Sequence, residues 1–153
     1  MKDEAGISHL EAIYEHWRPK GAKQREDQFS DGTLRLIALF WSLLEGDSLL
    51  LLEEPELSLN AAIIQSLPAV FYRLQKKKNR QIILSTHSAD LLADEGIEAQ
   101  QVLLLIPESE GTKVQVASER QDVKRLLESG FTMAEAVMPI AKPKGFQGFL
   151  FEI

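Results

Sequence analysis

The first part of the chain predicts two helices separated by a polar stretch. Apolar residues recur every three to four positions near the N-terminus: Ile7, Leu10, Ile13, Tyr14 and Trp17. This spacing predicts an amphipathic helix over residues 1 to 17. The polar residues 18 to 28 predict a loop. Ser30 and Asp31 then precede a second apolar run at helical spacing, and such residues are typical of helix N-termini.

Two short apolar runs in the middle of the chain predict strands. Residues 49 to 52 are four leucines between a Gly-Asp turn and Glu53-Glu54-Pro55, which favours a strand buried on both faces. Residues 81 to 85 predict a second buried strand. Between them, residues 63 to 74 show an apolar helical face, and the cations at 76 to 80 suit the negative end of a helix dipole.

The last third predicts a hairpin followed by helices. Residues 102 to 106 predict a third strand, and the turn containing Gly111 can bring the chain back as an antiparallel hairpin ending at 117. Thr132 and Glu135 have the spacing of a capping box, which predicts a helix start. The alternation of strands and helices predicts an α/β layered sheet of mainly parallel strands with flanking helices.

Composition excludes several classes of protein. The net charge of −6 gives no overall basic field for nucleic acid, and the absence of cysteine excludes disulfides and thiolate metal sites. The apolar runs are too short to cross a bilayer, and the N-terminus lacks the pattern of a signal peptide. We therefore expect a cytoplasmic domain without a membrane contact.

Chemically active side chains follow two of the predicted strands. Glu53 and Glu54 end the first strand, and His87 follows the second. In open α/β sheets ligands bind beyond the carboxyl ends of the strands. Carboxylates there can hold Mg²⁺ or polarise a water, and an imidazole can donate to a phosphoryl oxygen. Each feature alone is more often a solvated turn or a surface histidine, so their order matters more than any single residue.

Four motifs, in this order, resemble those of ATP-binding-cassette-type ATPases. Residues 29 to 35 resemble the signature motif, and residues 49 to 56 resemble the Walker B strand. Residues 57 to 60 lie where the D-loop is expected, and residues 85 to 88 resemble the switch-histidine motif. The version is similar to the AAA-type ATPases near the RecF, chromosome-maintenance and overcoming-lysogenization-defect families. The resemblance is strong over residues 27 to 92 and only general beyond. It implies a P-loop-NTPase-like fold, of which this chain is the C-terminal lobe.

The resemblance implies roles for individual residues in binding ATP and Mg²⁺. Glu53 would support Mg²⁺, Glu54 would orient the attacking water, and His87 would contact the γ-phosphate. Two departures from the family pattern are present. Glu53 stands where Asp is usual, and Asp31 replaces the first signature glycine, where its carboxylate can cap the helix instead of facing the nucleotide.

The signature motif is implied to serve the nucleotide of a second head. Ser30 and the backbone N–H of Gly32 would meet that γ-phosphate, at a helix N-terminus that favours anions. Asp31 lies between them, and Arg35 would couple nucleotide binding to movement of neighbouring elements. Asn60 and Ser58 would lie along the seam of a homodimer of heads.

A phosphate-binding loop of the form G-x-x-x-x-G-K-[ST] is not found in this sequence. We therefore expect a fragment or one half of a split head, inactive alone, that needs a P-loop-containing N-terminal lobe and a second head. Its predicted parts are residues 1 to 28, the remainder of an upstream lobe; 29 to 117, the motif-bearing part; and 118 to 153, a helical extension. DNA contact is expected only through other parts of the full protein.

Two alternatives remain open from the sequence. The chain can be a non-enzymatic interaction or dimerisation fragment, in which the acidic strand end and the basic run at 76 to 80 bind a partner. It can also be the ATPase portion of a nuclease-linked protein of phage defence or DNA repair. A nuclease needs its own carboxylate cluster, and Asp90, Asp94 and Glu95 are better interpreted as a solvated helix end.

Overall fold

The computed structural model describes residues 6–14 and 22–142. The predicted α/β class is confirmed, with short sheets and flanking helices. The strands and helices in chain order are β1 (Glu11–Tyr14), β2 (Ala22–Arg25), α1 (Asp31–Leu44), β3 (Leu50–Glu53), α2 (Ala61–Lys78), β4 (Ile82–Ser85), α3 (Ala89–Leu92), β5 (Leu103–Glu108), β6 (Gly111–Val116), α4 (Gln121–Glu128) and α5 (Met133–Ala141).

The described residues fall into two compact units. Unit one contains the described residues up to Gly46 together with Leu57–Leu59, and unit two contains Asp47–Glu56 and the described residues from Asn60 onward. The strand-end carboxylates therefore belong to unit two, whereas the start of α1 belongs to unit one. The predicted division at residues 28 and 117 stays a prediction.

Unit one begins with an antiparallel pair where a helix and a loop were predicted. β1 pairs with β2 from Glu11 opposite Arg25 to Tyr14 opposite Ala22. The helix prediction is wrong for the described residues, and the loop prediction is wrong for β2. Ile13 is 67% exposed, so the helical spacing does not reflect a buried helical face. The backbone groups of β1 find partners across the ladder instead. Trp17 lies outside the described residues.

Helix α1 begins where the sequence predicts. Ser30 is its N-cap residue, and the Ser30 hydroxyl accepts from the backbone N–H of Thr33 at 3.2 Å. The cap satisfies one of the free N–H groups of the first turn. Leu39 and Leu43 are buried along the helix. The helix ends before Gly46, whose φ of 70° suits a glycine at the exit of a helix.

Unit two contains the predicted parallel pair. β3 and β4 are joined through α2 and pair in parallel from Leu50 opposite Ile82 to Glu53 opposite Ser85. The prediction that both strand faces are buried is wrong. Leu51 is 67% exposed and its cross-strand neighbour Ile83 is 45% exposed. Leu51 and Ile83 alternate along their strands with half-buried residues. Among the described residues, one face of this two-stranded sheet is therefore exposed and the other is half-buried.

The C-terminal part of unit two has its own core. β5 pairs with β6 as the predicted antiparallel hairpin. Within the described ranges β5 pairs with β6 alone, so it does not join β3 and β4 as the third strand of one sheet. The buried residues that pack together here are Leu104, Ala117, Val123, Met133, Ala136 and Val137. Among helices in the described ranges, none is long and apolar enough to span a bilayer.

Candidate functional site

A backbone hydrogen bond from Glu54 joins the carboxyl ends of β3 and β4. The Glu54 N–H donates to the carbonyl oxygen of Ser85 at 3.0 Å and lies 3.4 Å from the Ser85 hydroxyl. Glu54 has a φ of 40°, in the left-handed region that non-glycine residues seldom adopt. Such strained residues occur often at functional sites, where the surrounding structure holds them in place. The bend directs the chain away from the strand directly after the exposed Glu53.

The Glu54 carboxylate faces the His87 imidazole. Glu54 Oε1 lies 3.4 Å from His87 Nε2, a separation that makes an ion pair when the imidazole is protonated. The Glu54 side chain is 31% exposed and that of His87 is 89% exposed. One partner is therefore partly held by the protein, while the other presents nearly its whole ring to solvent and to any ligand. The two residues that the sequence analysis predicted as catalytic are neighbours in space.

A third acid, Glu56, follows Glu54 by two residues and is buried, with 7% of its surface exposed. The Thr86 hydroxyl donates to Glu56 Oε1, and the Thr86 oxygen accepts the backbone N–H of Ser88 at 3.0 Å. Glu56 Oε2 is buried and has no hydrogen-bond partner among the described residues. Glu56 and Thr86 lie within the segments that resemble the Walker B and switch-histidine motifs, but the sequence alone indicated no individual role for either residue.

The predicted signature residues form the start of α1 in unit one. Ser30 caps the helix, and Asp31 occupies the first helical position, where a negative charge suits the helix dipole. The expectation that Asp31 supplies the cap is wrong, because the Ser30 hydroxyl takes the Thr33 N–H. Arg35 is exposed one turn further along.

Gly32 lies directly against the predicted D-loop of the same unit. A Cβ atom placed on Gly32 would overlap the backbone carbonyl oxygen of Ser58, well inside van der Waals contact. Ser58 itself has a φ of 64°, which turns its peptide group into this position. The absence of a side chain at Gly32 therefore permits a close approach of two backbone segments.

Asn60 has a structural role in unit two. Its side-chain oxygen accepts the backbone N–H of Ala62 at 2.9 Å, which makes Asn60 the N-cap of α2. Its place along a dimer seam stays a prediction.

The acids considered for a nuclease are not gathered into a cluster. Asp90 accepts from the Gln65 side-chain amide at 3.0 Å, and Asp94 accepts the backbone N–H of Gly96 at 2.8 Å. The described residues contain no group of three or more acids and histidines that could hold a metal ion by themselves. The carboxylates of the β3 end therefore provide the candidate site in unit two.

Comparison with known proteins identifies the class. Residues 1–94, more than half of the chain, match the family described as "AAA domain, putative AbiEii toxin, Type IV TA system". The chain belongs to this AAA-type ATPase family, which confirms the resemblance seen in the motifs. No curated protein matches the sequence.

The fold is similar to that of a solved chain described as "Structural biochemistry of ATP-driven dimerization and DNA stimulated activation of SMC ATPases." The TM-score is 0.50 at 16% identity, and the match covers 80% of this chain and 82% of that chain. At this identity the likeness shows a shared fold alone. It agrees with a partial P-loop-NTPase-like architecture.

Proposed function

We propose that this chain supplies two half-sites of an ATP-hydrolysing head of the ATP-binding-cassette type. One half-site is the β3–β4 end with Glu53, Glu54 and His87. The other is the start of α1, which would bind the nucleotide of a second head. A lobe with a phosphate-binding loop would complete the first half-site, so the isolated chain is expected to hydrolyse ATP poorly or not at all.

The observation that carries the proposal is the 3.4 Å approach of Glu54 to His87. A carboxylate at this position can accept a proton from, or orient, a water that attacks a phosphoryl group. The imidazole beside it can donate a hydrogen bond to a phosphoryl oxygen as charge develops there. Both groups follow parallel strands at one sheet edge, where α/β proteins bind ligands.

The strand end also suits Mg²⁺ chemically. Mg²⁺ prefers oxygen ligands, keeps several of its waters, and is commonly held by one or two carboxylates together with substrate phosphates. Glu53 offers an exposed carboxylate, and its partner in the strand register is Ser85, which offers a hydroxyl. The lack of a three-residue cluster among the described residues is therefore compatible with a Mg²⁺ shared with ATP. When bound, the ion would neutralise phosphate charge.

The second half-site is supported by the geometry of α1. Helix N-termini present free N–H groups and a positive dipole end to anions. The exposed Ser30 and the neighbouring Gly32 lie at this end, and Asp31 beside them is the feature that least suits a phosphate. The solved chain of similar fold comes from work on the ATP-driven dimerization of SMC ATPases. We infer that this chain uses α1 in the same kind of assembly.

Glu54→Gln tests the proposal in the chain combined with its P-loop-containing lobe. Turnover of ATP is expected to fall by about 10²–10⁴-fold, the usual contribution of a general base. Glu110→Gln, in the exposed β5–β6 turn, is the matched control and should leave turnover unchanged. Equal turnover by the Glu54→Gln and wild-type heads would overturn the assignment of Glu54, whereas a wild-type head without ATP turnover would favour a non-enzymatic interaction fragment.

A further inference from the structure

The segment that carries His87 is hydrogen-bonded to the buried carboxylate of Glu56. Thr86 and Ser88 flank His87, and both join one hydrogen-bond chain: the Ser88 N–H donates to the Thr86 oxygen, and the Thr86 hydroxyl donates to Glu56. Glu56 follows Glu54 by two residues. The same two segments are thus linked at the surface by Glu54 and His87 and in the interior by Glu56 and Thr86.

Burial makes the interior link the more rigid of the two. The His87 side chain is 89% exposed, so its own contacts fix its position only weakly. Glu56 is 7% exposed, and hydrogen bonds to a charged or partly buried acceptor hold their geometry better than exposed ones. The Ser88 hydroxyl also accepts the Leu91 N–H at 3.3 Å, which anchors the far side of the segment to α3.

We propose that Glu56 is a positioning residue that places His87 opposite Glu54 by acting through the Thr86 hydroxyl. This inference rests on the proposed function of Glu54 and His87. In this proposal Glu56 is buried against Thr86 and has no contact of its own with the nucleotide or the attacking water. Its effect on hydrolysis would pass through the imidazole, so removing the link should lower kcat while leaving the KM for ATP unchanged.

The first test uses the 153-residue chain alone and needs no hydrolysis. Nuclear Overhauser contacts between the His87 ring protons and the Glu54 side chain report on the pairing directly. They should be present in the wild type and in Thr86→Ser, which retains the hydroxyl, and lost in Thr86→Val, which does not. Undiminished contacts in a folded Thr86→Val chain would overturn the proposal. If circular dichroism shows that Thr86→Val does not fold, Thr86→Ala removes the same hydroxyl without adding a methyl group toward Glu56.

The second test is a double-mutant cycle in the head completed by its P-loop lobe. Thr86→Val should lower kcat about tenfold, the effect expected from one lost hydrogen bond, and Thr86→Ser should restore it. In a His87→Ala background, Thr86→Val should cause no further loss, since the residue it positions is gone. If the two substitutions lower kcat independently, so that the factors of the single variants multiply in the double variant, the proposal would be overturned. A failure of Glu54→Gln to affect turnover would instead overturn the proposed role of Glu54 in hydrolysis, and the nuclear Overhauser test would still test the positioning role of Glu56.

Discussion

Glu54 Oε1 lies 3.4 Å from His87 Nε2, and no single local motif produces this approach. The two residues follow different strands that α2 separates in the chain. Parallel pairing of β3 with β4 brings their ends together, and Glu54 itself has a left-handed backbone conformation. The approach of the two side chains therefore depends on the register of the strand pair.

The cap of α1 predicts that Ser30 has a structural role that can be separated from a nucleotide role. Ser30→Ala removes the acceptor for the Thr33 N–H and should lower the free energy of unfolding by about 0.5–2 kcal/mol. Ser30→Asp retains an acceptor at the cap and should unfold near the wild-type midpoint. Chemical denaturation of the three chains measures this, and equal stability of Ser30→Ala and wild type would show that the cap contributes nothing.

The close approach at Gly32 predicts that even a methyl group is poorly tolerated there. Gly32→Ala places its Cβ against the Ser58 carbonyl, a backbone atom that can move only with its segment. We expect a loss of about 1–3 kcal/mol in the free energy of unfolding, the usual cost of overpacking.

Gly96→Ala is the matched control for Gly32→Ala. Its Cβ would meet only a carboxylate oxygen of Asp94, at 2.9 Å, and that side chain can rotate aside at the cost of the hydrogen bond it accepts from the Gly96 N–H. Thermal or chemical unfolding compares the two variants. A Gly32→Ala chain no less stable than Gly96→Ala would contradict the tight contact between α1 and the predicted D-loop.

The capping box of α5 predicts a defined pH dependence of stability. The backbone N–H of Thr132 donates to Glu135 at 2.8 Å and its hydroxyl donates at 2.9 Å, and these bonds lower the pKa of Glu135 below its ordinary value of 4.5. A lowered folded-state pKa stabilises the fold at pH values above 4.5, and the contribution is lost as the pH falls through the folded-state pKa.

Glu135→Gln isolates this contribution, because Gln also forms capping boxes but carries no charge. The difference in unfolding midpoint between wild type and Glu135→Gln should shrink as the pH is lowered from neutral into the acid range. Glu110→Gln, from the exposed hairpin turn, provides the control. A difference that stays constant with pH would contradict the ionised capping role.

The sequence predicts best where local chemistry decides the structure. Ser30 and Thr132 cap their helices as their spacing indicates, since a cap needs only neighbours three residues away. The short apolar run of β3 is bracketed by turn residues that mark its ends. The order of the motifs also identified the family, and the residues predicted as catalytic are neighbours in the structure.

Features that depend on distant partners were not predictable. The spacing of Ile7, Leu10 and Ile13 fits a helix, yet β1 forms because β2 lies beside it. Nor does periodicity reveal that Leu51 lies on an exposed face, which depends on the elements that surround the strand. The buried Glu56 accepts a hydrogen bond from the Thr86 hydroxyl at another strand end, and a sequence shows no sign of that contact.

The central claim is that Glu54 and Ser30 serve different nucleotides in a pair of heads, and mixing two inactive variants tests it most directly. In the head completed by its P-loop lobe, Glu54→Gln removes the hydrolytic carboxylate. Ser30→Asp keeps the α1 cap but sets a negative charge against the phosphate. Each variant alone should be nearly inactive.

A mixture should regain activity, because one site of the mixed dimer combines an intact Glu54 from one head with an intact Ser30 from the other. Steady-state ATP turnover of the mixture at equal concentrations should rise to about a quarter of the wild-type rate, as expected when half of the dimers are mixed and each has one intact site. Turnover that stays at the level of the separate variants would contradict the account.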